Sequence, residues 1–124
     1  MDPVGFTFGD SRELNETLIA LVRAGTKTAT CGALRDFDEG EEMPVVGRRD
    51  IALDWDGKPA LLIETTEVTT LPFSEVPQDF ALAEGEGCFD DWRQAHIAFF
   101  TRNGGYDPDM LLVCERFRLV EVLR

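Results

Sequence analysis

The chain has 124 residues, 44% of them hydrophobic, enough to close one core and too few for a second domain. Its formal charge of −12, from 24 acidic and 12 basic side chains, excludes a surface that coats duplex nucleic acid by displacing counterions. No apolar run reaches membrane-spanning length, Met1-Asp2-Pro3-Val4 lacks the features of a secretory signal, and Cys31, Cys88 and Cys114 have no C-x-x-C spacing. These observations predict one soluble, cytoplasmic domain over residues 1–124, with no metal or other cofactor.

Leu14, Leu18, Leu21 and Val22 recur at helical spacing, predicting a helix over residues 11–24 that starts at Asp10 as its cap and stops at Gly25. Residues 26–31 are β-prone, and the acidic segment 36–42 reads as a solvated loop without helix or strand. Two β-rich runs, 49–55 and 59–68, flank Asp56-Gly57 and predict a hairpin. Residues 73–83 read as a short helix broken by Pro77, and Asp90 or Asp91 caps another running to Arg102. Asn103-Gly104-Gly105 ends it, and residues 110–123 return to strand composition. Strands with helices near the ends give an α+β domain built on a curved or closed sheet.

Gly25-Thr26-Lys27-Thr28-Ala29-Thr30 follows the first helix and holds one of only two lysines. Taken alone, G-x-K-x-x-T is a weak signal. Phe6-Thr7-Phe8-Gly9-Asp10-Ser11 precedes it; Glu84-Gly85-Glu86-Gly87, Trp92-Arg93-Gln94-Ala95-His96 with Phe99-Phe100, and Val113-Cys114-Glu115-Arg116-Phe117 follow. In that order and spacing the chain resembles the ASCH domain family, in particular its longer, bacterial-type members, over nearly its whole length. The resemblance implies a PUA-like small β-barrel of about five or six strands flanked by helices, and binding of RNA or a nucleotide.

A lysine early in a strand is ordinarily a solvated edge residue. The resemblance makes Lys27 the motif lysine, acting either as a point charge on phosphate or as a desolvated amine serving as a base. It also implies catalytic roles for Thr30 and Glu84. Residues three apart on a regular strand face opposite ways, so joint action of Lys27 and Thr30 requires a bulge or an irregular strand start. Ser11, Gly25, Trp92 and Arg93 are candidates for substrate contact: Ser11 at a helix start, Gly25 through its accessible backbone, and Trp92 and Arg93 through stacking or hydrogen bonding to a base. His96 reads as a packed core residue and Cys31 as a small buried hydrophobe.

A narrow basic cleft around Lys27, with Arg35, Arg93 or Arg116 nearby, would suit single-stranded RNA or a modified nucleoside. The expected function is then a hydrolase acting on RNA, as a ribonuclease, or on an N-acylated cytidine nucleoside. The alternative is a non-catalytic RNA-binding or regulatory module.

Overall fold

The computed structural model describes residues 1–124. In chain order it contains β1 (Gly5–Thr7), α1 (Arg12–Arg23), β2 (Ala29–Ala33), α2 (Leu34–Asp38), β3 (Arg49–Leu53), β4 (Pro59–Pro72), α3 (Gln78–Ala83), α4 (Phe89–Arg102) and β5 (Leu111–Val122). The strands form one sheet in the order β1-β3-β4-β5-β2, with β1 parallel to β3 and every other pair antiparallel. The α+β class stands, but the expected closed barrel does not form, because β1 and β2 are the two edges and no ladder joins them.

Helix α1 forms where its sequence places an apolar stripe, burying Leu18, Ile19 and Val22 against Ala52, Leu61, Ile63 and Phe117. The cap is Ser11, whose hydroxyl accepts from the Leu14 amide, and Asp10 instead bonds Arg102 and Asn103. Asn15, fully buried on the same helix, donates to the carbonyls of Phe8 and Leu53 and ties α1 to the strands beneath it.

A second core packs α3 and α4 against the opposite face, joining Phe73, Phe80, Trp92 and Phe100 to Ala29, Ala33, Leu112 and Cys114. Alternate residues of β5 therefore serve both cores, Leu112 and Cys114 on one side and Phe117 on the other. Strand β4 changes allegiance midway. Thr65 pairs with Phe117 and Glu67 with Arg116, so Thr66 is an extra residue in the ladder. One extra residue turns subsequent side chains to the other face, which is why Leu61 and Ile63 pack beneath α1 whereas Leu71 packs beside α4.

The β3–β4 hairpin turns as anticipated: Asp54 Oδ1 accepts from the amides of Asp56 and Lys58, and Gly57 takes φ +81°. The acidic segment is only partly a loop. Its first residues lie in α2, where Phe37 packs close to Gly32 of β2 and draws the chain into one helical turn. Helix α4 starts at Cys88, whose sulfur and backbone amide form a reciprocal capping box with Asp91, ahead of the expected Asp90 or Asp91 cap. No helix is long and apolar enough to cross a membrane.

Candidate functional site

Because the sheet stays open, the segment around β1 and strand β2 face each other across a cleft of about 530 Å³, lined by Phe6 and Phe8 on one side and Thr30 and Cys31 on the other. Lys27 and Glu84 also line it. Gly25, at φ +81°, and the amides of Thr26 and Lys27, both bonded to the Leu21 carbonyl, wrap the chain around the end of α1. Strand β2 begins only at Ala29, so Lys27 lies outside the ladder and is not bound by its alternation. That irregular start lets Lys27 and Thr30 line the same cleft.

Lys27 is 2% exposed and Glu84 1%, and Lys27 Nζ lies 3.2 Å from Glu84 Oε1. Phe8 covers the ammonium, with its ring centre 5.6 Å from Nζ. The backbones carrying the pair are stitched together by the Thr28 amide, which donates to the Ala83 carbonyl at 2.7 Å. Gly85 makes the approach feasible. A Cβ there would stand 2.9 Å from the Thr26 carbonyl oxygen, and its φ of +79° is one that L side chains rarely adopt.

Glu84 Oε2 accepts from Trp92 Nε1 at 2.8 Å and lies 3.6 Å from His96 Nε2. Burial alone would push the Glu84 carboxyl up, but Lys27, His96 and the Trp92 donor outweigh it and hold it at about 2. His96 Nδ1 is 2.8 Å from the Trp92 carbonyl, to which it donates, and Nε2 on the other side of the ring faces Glu84 and Glu86, whose Oε2 is 3.8 Å away. Burial works against a charged imidazole, yet the two carboxylates overcome it and raise the His96 pKa above its usual value. Burial likewise pushes the Cys31 thiol well up and the Glu86 and Glu115 carboxyls upward.

The cleft is acidic, not basic as its sequence neighbours suggested. Its lining has eight carboxylates and three lysine or arginine cations. Each cation is already matched: Lys27 by Glu84, Arg48 by Asp50 at 2.7 Å, and Arg102 by Asp10 at 2.6 Å. Arg35 instead bonds the carbonyls of Asn103 and Gly105, Arg116 pairs with Glu67 and Asp79, and Arg93 does not line the cleft.

Of the other sequence candidates, Ser11 caps α1 at the surface, Gly25 shapes the turn before Lys27, and neither lines the cleft. Trp92 is 1% exposed and stacked on Phe73, Phe89 and His96, so it orients Glu84 and presents no face to a ligand. Sequence reasoning passed over His96, Cys31 and Glu115 as site residues. The signal for His96 was its place one turn after Trp92; Glu115 becomes visible only once pairing sets it opposite Thr30. Cys31, Glu84 and His96 are the side chains that could hold a metal, with one donor atom from each lying within 4.8 Å of the others.

Residues 5–121 match the model of the ASCH domain family. The chain belongs to that family. A crystal structure of protein EF3133 from Enterococcus faecalis V583 is similar at 39% identity and TM-score 0.88, covering 98% of this chain and 78% of that one. The ASCH domain from Lactobacillus crispatus JV V101 is similar at 34% identity and TM-score 0.85, over 94% of this chain and 78% of its own. Hypothetical protein PH0355, at 15% identity and TM-score 0.60, covering 95% of this chain and 97% of its own, shares the fold alone. No curated protein matches the sequence.

Proposed function

We propose that this ASCH domain is a hydrolase that removes an acyl group from an uncharged modified nucleoside, with N-acylated cytidine as the substrate class. The observation that carries the reading is the buried Lys27–Glu84 pair at the base of a cleft whose lining is acidic. Five of its carboxylates form no salt bridge with a lysine or arginine, so an RNA strand or a nucleotide phosphate would enter against net repulsion. A neutral nucleoside meets no such barrier. Aromatic side chains along the cleft, including Phe37 and Phe99, offer flat apolar surface to a base, and the Arg102 guanidinium lies 5.1 Å from the Phe99 ring centre.

The chemistry divides among three side chains. Thr30 stands directly opposite Glu115 on β5, and both line the cleft. Glu115, its pKa raised by burial, takes the proton as the Thr30 oxygen bonds to the acyl carbon. Lys27, positioned by its ion pair, steadies the negative charge that develops on the carbonyl oxygen. Collapse breaks the C–N bond, the departing amine takes the proton from Glu115, and water then cleaves the Thr30 ester. Glu84, held at about 2, has no proton to give at neutral pH, so its part is to fix Lys27.

The test is a paired assay of the protein and its Lys27→Ala variant on N4-acylated cytidine and on single-stranded RNA. The expected result is free acid and cytidine from the nucleoside, at a kcat/KM reduced about 100-fold or more in the variant. Binding or cleavage of RNA with the nucleoside untouched would replace this reading with the RNA-directed one.

A further inference from the structure

We propose that Cys31, Glu84 and His96 form a binding site for a thiophilic divalent cation of the Zn²⁺ class. The inference goes beyond the hydrolase reading, since the acyl transfer described above uses no metal. Three separate elements supply the donors: Cys31 comes from β2, Glu84 from the end of α3 and His96 from α4. No local spacing connects them, which is why the sequence offered no metal signature. Folding nevertheless brings Sγ, a carboxylate oxygen and a ring nitrogen within 4.8 Å of one another.

The orientation of these groups is more specific than proximity. In a tetrahedral site with bonds of about 2.0–2.3 Å, donor atoms stand about 3.3–3.7 Å apart. His96 Nε2 and Glu84 Oε2 are separated by 3.6 Å. His96 Nδ1 faces the Trp92 carbonyl at 2.8 Å, the outer contact that leaves Nε2 as the ligating atom. Glu84 is held on both oxygens, by Trp92 at Oε2 and by Lys27 at Oε1, so the carboxylate is fixed before any ion arrives. Glu86 Oε2, 3.8 Å from His96 Nε2, stands where a fourth oxygen is needed.

Electrostatics both favour and oppose the ion. The excess of carboxylates along the cleft concentrates cations there. The Lys27 ammonium repels them, but it is held on Oε1, the oxygen away from His96. Binding displaces the Cys31 thiol proton, together with the His96 proton where present, so the cation replaces positive charge as well as adding it. Cys88 is exposed at the start of α4, and Cys114 is buried and absent from the donor cluster.

The experiment titrates the metal-free, reduced protein with Co²⁺ by absorbance and with Zn²⁺ by calorimetry. One equivalent is expected, with a thiolate-to-cobalt charge-transfer band. Cys31→Ser, nearly isosteric, should abolish the band, and His96→Ala should weaken Zn²⁺ binding at least tenfold, with circular dichroism checking that each variant is folded. Cys88→Ser should change neither. Thr30→Val, which removes the acyl-accepting hydroxyl and no metal donor, should retain Co²⁺ binding while losing nucleoside turnover, so failure of the metal site and failure of the hydrolase reading are distinguishable. Absence of stoichiometric binding, or a band that survives Cys31→Ser, would overturn the proposal.

Discussion

Lys27 and Glu84 are each tolerable in the interior because of the other. Removing water from both charges is costly, and their attraction returns that cost only while the geometry and the flanking Trp92 and Phe8 contacts hold. Lys27→Met should therefore destabilise the fold by about 3–5 kcal/mol, by leaving a buried carboxylate without its principal cation. Lys27→Met combined with Glu84→Gln should be less destabilised than the sum of the two single variants, because neither charge is then stranded. Urea unfolding of the four proteins checks this, and simple additivity would mean that the two groups do not interact. The resemblance to the ASCH family pointed to Lys27 and Glu84, where the G-x-K-x-x-T pattern alone was weak. Their burial, and the part of Trp92 as a donor to Glu84, belong to contacts made across 57 and 8 residues of chain, which no local pattern encodes.

Among the elements, the loop after α3 bears the closest tolerance. Gly85 passes the backbone of Thr26 and Lys27 so tightly that a methyl group would have to push one segment away, in a conformation unfavourable to any side chain. Gly85→Ala should cost about 1–3 kcal/mol in stability and loosen the Lys27–Glu84 contact. Thermal melts and, under the proposed activity, kcat measure the two effects, whereas a fold and rate unchanged would show that the loops can part. Helix α1, the β3–β4 hairpin and α4 were legible from periodicity and turn residues. The start of β2 and the helical turn of α2 were not. Phe37 folds back toward Gly32 of the preceding strand, and that packing overrides the loop character of an acidic run. Barrel closure failed as an expectation because strand composition says nothing about whether edges meet: the three residues of β1 pair with β3 and with no other strand.

Across the whole molecule, a charge of −12 makes the folded state repel itself. Glu41 and Glu115 have pKa values raised chiefly by burial, so they bind protons more readily when folded than unfolded. Their sign is clear: stability should increase as pH falls from neutrality toward their unfolded values near 4.5. Asp10 acts oppositely, because Arg102 and Asn103 hold its carboxyl at about 2 against an ordinary 3.8. Its contribution is complete above 3.8 and lost as pH falls through about 2. Melting temperature should thus peak on the acid side of neutrality, and added NaCl should raise it by a few degrees at pH 7. A maximum at pH 8, or salt-independent melting, would contradict this charge balance.

The missing ladder between β1 and β2 has a mechanical result. Walls joined by a ladder separate only by breaking backbone hydrogen bonds in series, whereas the segment after β1 is tied to the end of α4 by the Asp10–Arg102 ion pair and to β2 by no ladder. Parting that segment from α4 would therefore cost a surface ion pair and its companion Asn103 hydrogen bond, and no strand pairing.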